Sequence, residues 1–168
     1  MELSACIVVY NGAEEALKAA QTVLECTRRH PLTLYLVDNA SPDGTGKKRE
    51  RTRFEKPVTV ICLSENVGFG KGHNTVLPRL KSKYHFVLNP DILVEEDTLT
   101  GMCAWMDEHP DVVMATPQLY FPTGEKQNLP RSEGMVYMSG RSLHPISINL
   151  AERLQQEFDG KLDIAFSA

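Results

Sequence analysis

Short apolar runs recur along this chain, each halting at a cluster of polar turn formers, and helical periodicity fills much of what lies between. Leu3 to Tyr10, Leu32 to Val37, Val58 to Leu63 and Tyr84 to Leu88 carry β-branched and aromatic residues with little polar interruption. Such runs are expected of strands in a parallel sheet, the last one covered on both faces. Between the first two, Ala13, Ala16, Leu17, Ala20, Val23, Leu24 and Thr27 recur at three- and four-residue intervals, which predicts an amphipathic helix closed by His30-Pro31. A second helix follows the fourth run, with Leu99, Met102, Cys103 and Met106 on one face and Glu95-Glu96-Asp97 in its first turn, where negative charge suits the helix dipole. Val112 to Thr116 reads as a fifth strand, and Gln118 to Phe121 as one arm of a hairpin turning at Pro122-Thr123-Gly124. Strands alternating with helices predict an α/β fold, a doubly wound and mostly parallel sheet with helices on both faces.

A chain of 168 residues holds one domain with a real core and is too short for two ordinary ones. A net charge of −4 argues against general nucleic-acid binding. The basic stretch Lys47 to Arg53 reads as a solvated helix face or loop. Cys6, Cys26, Cys62 and Cys103 lie singly in apolar surroundings without metal-ligand or disulfide spacing, so they read as reduced core residues of a cytoplasmic protein. No apolar run approaches membrane-spanning length and Met1-Glu2-Leu3 lacks a basic leader, so any membrane contact is expected to be peripheral, at the inner face.

The polar stops carry the chemistry. The second run ends in Asp38-Asn39-Ala40-Ser41-Pro42-Asp43-Gly44-Thr45, too dense in turn formers for regular structure. The third leads into Glu65-Asn66-Val67-Gly68-Phe69-Gly70-Lys71-Gly72-His73-Asn74, where a helix starts with His73, Val76, Leu77 and Leu80 along one side. Its glycines suit close approach of backbone to an anion, or a purely structural loop. The spacing is neither the dinucleotide fingerprint nor a P-loop, which counts against a dinucleotide-dependent enzyme or a nucleotidyltransferase. The fourth run ends in Asn89-Pro90-Asp91: proline stops the pairing, and the carboxylate is either a divalent-metal ligand or a turn residue capping the next helix. Parallel strands bring Asp38, the glycine loop and Asp91 to one edge of the sheet, the place where open α/β sheets bind ligands. An acidic group for a base edge, a glycine loop and a metal-binding carboxylate together suit a nucleotide diphosphate.

Val9-Tyr10-Asn11, the Val37 to Gly44 segment, Asn66 to Asn74, Asn89-Pro90-Asp91 and the Thr116-Pro117 to Gly124-Glu125 hairpin, taken in this order, resemble the inverting glycosyltransferases of family two, especially the rhamnosyltransferase-like branch. The resemblance covers residues 3 to about 128, so that 1–128 is expected to form a nucleotide-sugar-binding domain and 129–168 a divergent segment, helical from Ile148 to Phe158. It implies the GT-A fold, a Mg or Mn ion, a dTDP- or UDP-sugar donor, a saccharide or lipid-linked acceptor and a role in polysaccharide biosynthesis. By this resemblance Asp38 accepts a hydrogen bond from the base, and Tyr10 and Asn11 lie beside it. Asn66, Gly68 and Asn74 line the nucleotide and sugar, and Asn89 and Asp91 stand at the D-x-D positions, with Asp91 the charged metal ligand. Asn89 departs from a carboxylate there. The acidic motif that supplies the family's general base is not found, and Glu133, Glu152, Glu157, Asp159 and Asp163 stand in unmatched contexts. The catalytic base is therefore unassigned, and the alternative expectation is a shortened or non-catalytic nucleotide-sugar-binding domain.

Overall fold

Residues 1–45, 52, 54, 56–126, 137–139 and 142–143 are described in a computed structural model of the chain. They divide into two compact units, one ending at Thr100 and one beginning at Gly101.

The first unit is built on β1 (Leu3–Val9), α1 (Ala13–Cys26), β2 (Leu32–Asp38), β3 (Val58–Cys62), α2 (Phe69–Asn74) and β4 (Tyr84–Leu88). The four strands form one wholly parallel sheet in the order β3-β2-β1-β4. Consecutive strands lie side by side outward from β1 to β3, then the order jumps back across β1 to β4. That jump is a topological switch point, the place at the carboxyl edge where ligands bind in open α/β sheets.

Every residue of β1 is buried, and β2 is buried except at Thr33. The two edge strands differ. All five residues of β4 are half-buried, and Thr59 and Cys62 of β3 are exposed. The expectation that Tyr84–Leu88 is covered on both faces is thus corrected among the described residues: its apolar run belongs to an edge strand. α1 buries Ala13, Ala16, Ala19, Ala20, Val23 and Leu24, a stripe of small residues that lets the helix lie close. Its carboxyl end is closed by Lys56, whose Nζ donates to the carbonyls of Leu24 and Thr27 at 2.6 and 2.7 Å, a cation placed where the helix dipole is negative. On the other side of the core, Cys6, Val8, Tyr35, Val37 and Val76 cluster, with Ile61, Leu63, Phe69 and Leu80 packed against them.

The helix expected after the glycine loop is shorter than its periodicity suggested. α2 has six residues, and a 3-10 turn over Leu77–Arg79 with Pro78 inside it carries the chain on. Pro78 has no N–H to continue an α-helical ladder. Of the four cysteines, Cys6 and Cys103 are buried as expected, and burial pushes the Cys6 thiol up to about 12. Cys26 is half-buried, its thiol donating to the Val94 carbonyl at 3.1 Å, and Cys62 is exposed, because its strand lies at the edge.

In the second unit the helix α3 spans Thr98–Glu108, entering from the first unit, with Leu99, Met102 and Cys103 buried and Met106 half-buried. Glu95, Glu96 and Asp97 therefore precede the helix instead of forming its first turn. The expected fifth strand is reduced to β5 (Thr116–Pro117), which pairs in parallel with β6 (Tyr137–Ser139), itself antiparallel to β7 (Ser142–Leu143). The hairpin is present: Phe121 donates to Glu125 at 2.8 Å, Gly124 donates to Phe121 at 2.8 Å, and Tyr120 bridges Lys126. Lys47 to Arg53 apart from Thr52, the Ile148–Phe158 helix and the carboxylates Glu133, Glu152, Glu157, Asp159 and Asp163 lie outside the described residues.

Candidate functional site

The three polar stops meet at the carboxyl edge of the four-stranded sheet. Register fixes how they align: Val9 faces Asp38, Asp38 faces Cys62, and Leu88 faces Ile7, so the loops after all four strands start at nearly the same level. Asp38 closes β2 on one side of β1, and Asn89-Pro90-Asp91 follows β4 on the other. Tyr10, Asn11 and Gly12 leave β1 between them, at the switch point.

On the β2 side the loops are tied together. Asp38 is 5% exposed, and its Oδ1 accepts from the Ser41 backbone N–H at 3.3 Å and from the Ser41 hydroxyl. That hydroxyl oxygen accepts the Asn11 N–H at 2.9 Å, linking the first loop to the second. Asp43 makes a second tie. Its carboxylate takes the Thr45 hydroxyl, the Thr45 N–H at 2.9 Å and the Gly12 N–H, and these bonds hold it below the usual carboxylate range. Asn11 and Ala40 adopt left-handed backbone, both at φ 61°, and Gly12 follows at 72°. Asn11 Oδ1 is buried with no protein partner. Tyr10 stands 51% exposed beside these loops.

The third loop is held from the same side. Asn39, 3% exposed, gives its backbone N–H to the Val9 carbonyl at 2.9 Å. Its side-chain Nδ2 donates to Asn66 Oδ1 at 2.9 Å, and its Oδ1 accepts the Val67 N–H at 2.9 Å. Asn66 Oδ1 also accepts the Gly68 N–H at 2.9 Å. Gly68 then turns at φ 83° into α2, with open space where a side chain would stand. Gly72 of α2 needs its lack of a side chain: a Cβ there would lie 2.8 Å from Val8 Cγ1. Asn74 is half-buried at the end of α2.

Asn89 and Asp91, on the far side, are both exposed. Among the described residues no group of three or more His, Cys, Asp or Glu gathers to hold a metal ion. One carboxylate beside a carboxamide, open to solvent, is a donor set that fits a Mg- or Mn-type ion sharing its remaining coordination with ligand phosphates and water.

Sequence reasoning placed Asp38, the Asn66–Asn74 loop and Asp91 on one edge, and the structure does so. It passed over Asn39 and Ser41, which sit in the same turn cluster and hold the edge together. His73, expected along one side of α2, is 2% exposed, with both ring nitrogens buried and unpartnered by protein. The only signal for Asn39 and Ser41 was the density of turn formers after β2, which marks a structured loop without saying which donors it ties.

A parallel sheet ordered 3-2-1-4, with its polar loops at the switch point, is a doubly wound α/β domain, and its likeness to solved glycosyltransferases makes it one of the GT-A fold. The chain belongs to glycosyl transferase family 2, whose family model matches residues 4–162. Among solved structures it is similar to S. aureus TarS residues 1–349, 22% identical with a TM-score of 0.64, over 79% of this chain and 39% of that one. TarS 1–349 in complex with UDP matches with a TM-score of 0.60. The mannosyltransferase PcManGT from Pyrobaculum calidifontis, in complex with GDP-Man and Mn2+, is 24% identical with a TM-score of 0.62, over 72% of this chain and 36% of that one. The chain thus spans under two fifths of the length of each of these structures. A stretch of 42 residues is 55% identical to the "Putative oxidoreductase YgfK" of Escherichia coli K12, covering 25% of this chain and 4% of that protein. No helix among the described residues is long and apolar enough to cross a membrane.

Proposed function

We propose that this chain binds a nucleotide-diphosphosugar at the carboxyl edge of its sheet and serves its transfer, with inversion, to a saccharide or lipid-linked acceptor. The observation that carries the reading is the alignment of Asp38, the Asn66–Asn74 loop and Asp91 at the switch point of one parallel sheet. Relatives of this fold are bound to UDP and to GDP-Man with Mn2+, which supports a nucleotide-sugar donor here. Residues 1–128 form the donor-binding domain and 129–168 the divergent segment. The rhamnosyltransferase-like motifs favour a dTDP-linked donor over UDP, and a role in polysaccharide biosynthesis at the cytoplasmic face of a membrane.

In this reading Asp38 accepts the imide N–H of a uracil or thymine ring, and its ties to Ser41 keep the carboxylate oriented toward the base. Exposed Tyr10 covers one face of the ring, and Asn11 borders it. Asn66, Gly68 and Asn74 line the nucleotide and sugar. Asp91, with Asn89, holds a Mg or Mn ion together with the donor's phosphates. When bound, that ion neutralises charge on the diphosphate as it leaves. The acceptor hydroxyl attacks the anomeric carbon from the face opposite the diphosphate, so the linkage inverts, and its proton passes to a base within hydrogen-bond reach. No described residue is assigned to that base. A non-catalytic donor-binding domain is the second reading, favoured by the same missing base motif.

Titration calorimetry with UDP, dTDP and GDP, with and without Mn, tests the donor site. The expected result is metal-enhanced binding of a uridine or thymidine diphosphate, lost in Asp38→Ala and stripped of its metal dependence in Asp91→Ala. A folded protein that binds none of the three would overturn the reading.

A further inference from the structure

Asn39 joins three loops at one point. Its main-chain N–H meets the end of β1 at Val9, its carboxamide oxygen takes the Val67 N–H, and its carboxamide nitrogen reaches Asn66, each at 2.9 Å. The side chain is 3% exposed, so no water competes for these bonds. Both ends of its amide are engaged, which determines how it sits: the oxygen must face an N–H donor and the nitrogen an acceptor. The acceptor is Asn66 Oδ1, which also takes the Gly68 N–H at 2.9 Å. Asn66 therefore has its oxygen committed within the protein, and only its amide N–H groups remain to face a ligand. Gly68, the next point along, turns at φ 83° and starts the segment that ends at Asn74.

We propose that Asn39 is a positioning residue for the donor site, setting through Asn66 the path of the Asn66–Asn74 loop while touching no donor atom itself. The inference rests on the donor-site reading above and adds a residue which that reading leaves out. Two features argue that the arrangement serves position and not merely stability. The bonds run between loops that follow separate strands, at the edge where the candidate ligand residues lie. They also orient the Asn66 carboxamide, which a bond to backbone alone would not do. Removing the Asn39 carboxamide leaves the Val67 N–H without its acceptor, a loss worth a factor of about ten in an equilibrium, so the effect on the loop is measurable.

The test uses Asn39→Ala, Asn39→Asp, Asn66→Ala and the Asn39→Ala/Asn66→Ala double variant, read by amide hydrogen exchange without ligand and by calorimetric affinity for UDP or dTDP with Mn. In Asn39→Ala the Val67 and Gly68 amides are expected to exchange about tenfold faster, while the β1 and β2 amides keep their protection. Asn39→Asp keeps an oxygen for the Val67 N–H but puts an acceptor against Asn66 Oδ1. The Asn66 amide turns over, so Gly68 loses protection and Val67 does not. Affinity is expected to fall about tenfold in Asn39→Ala and in Asn66→Ala, and no further in the double variant. Unchanged exchange at Val67 and Gly68 would overturn the clamp. Faster exchange with unchanged affinity would overturn its positioning role, and additive losses in the double variant would overturn the route through Asn66. If the parent chain binds neither nucleotide, the donor-site reading falls and this inference with it. Parent-like affinity in Asn39→Ala removes the inference alone.

Discussion

The two flanks of β1 are built differently. On the β2 side a buried carboxylate, two asparagines and a serine are tied by bonds that cross from loop to loop, so the candidate base-binding half has its shape before any ligand arrives. On the β4 side the strand is half-buried along its length, Asn89 and Asp91 stand in solvent, and His85 within the strand has its Nε2 buried and unpartnered. The contrast follows from position in the sheet: among the described residues β2 has neighbours on both edges, whereas β4 pairs with β1 alone. A rigid half can select a base by shape, and an open half leaves room for a metal and a phosphate chain to complete it. The β4 side should therefore fail first under stress.

Acid gives the sharpest break between the flanks. Burial lowers both His73 and His85 from 6.5 to about 4, and charge on His85 further opposes charge on His73. His85 Nδ1 lies 2.8 Å from the Ser4 hydroxyl, but its Nε2 and both His73 nitrogens meet no protein acceptor for an added proton. Between 6.5 and about 4 the unfolded chain binds more protons than the folded one. The contribution to stability is thus complete above 6.5 and is lost as pH falls through 4. Urea midpoints measured from pH 7.5 to 4 should drop, with α2 and β4 amides losing protection before those of β2. His73→Leu should flatten part of the fall; an identical fall in that variant would assign the acid sensitivity elsewhere.

A packing test comes next in size. Gly72→Ala places a methyl 2.8 Å from Val8 Cγ1 and 3.2 Å from its Cγ2, on the strand shared by both flanks, so that the helix or the strand must shift. Overpacking of this kind costs about 1–3 kcal/mol. Chemical denaturation should show that loss, and Val8→Ala in the same chain should recover part of it. A Gly72→Ala chain as stable as the parent would mean that α2 is free to shift, and the β2 side would then be less rigid than its hydrogen bonds indicate.

The paired carboxylates separate the flanks directly. Asp38→Ala strips acceptors from Ser41 at a buried position and should cost about 1–2 kcal/mol of stability, while Asp91→Ala, at an exposed position, should cost no more than about 0.5 kcal/mol. Denaturant midpoints of the two variants check this. Equal losses would erase the distinction between a preformed half and an open half.

The apolar runs made β1 through β4 legible to within a residue or two, because a buried strand must be apolar along its length, and α1 was legible because a helix needs one apolar stripe. Coverage of β4 was not, since an apolar run does not say whether a neighbour will lie beyond it. The fifth strand, expected over Val112–Thr116, is shorter for a similar reason: Val113 is 69% exposed, and pairing among the described residues reaches only Thr116–Pro117, through a partner strand 21 residues further on. At the site, strand ends placed Asp38 and Asp91, but composition treats Asn39, Ala40 and Ser41 alike as turn residues. Which of them clamps, which bends and which relays is decided by bonds between loops distant in sequence.

Ala40 shows that difference in miniature and gives the smallest expected effect on nucleotide affinity. It holds φ 61°, a left-handed conformation that costs an L-residue with a Cβ about 1–2 kcal/mol, between the clamp residue Asn39 and the relay residue Ser41. Its neighbours hold it there: Asn39 is bonded to Val9 and Ser41 to Asp38 and Asn11, so the backbone between them has one path. Glycine at this position removes the steric cost but adds freedom to the unfolded chain, worth about 0.4–1 kcal/mol in the other direction. Ala40→Gly should therefore leave the protein unchanged or stabilise it by up to about 1.5 kcal/mol, seen as a small rise in denaturant midpoint. Because the loops on this side are already tied, nucleotide affinity should not change with it. A loss of affinity would show that Ala40 helps to hold the β2 side in shape, and that its ordering depends on backbone stiffness as well as on the bonds to either side.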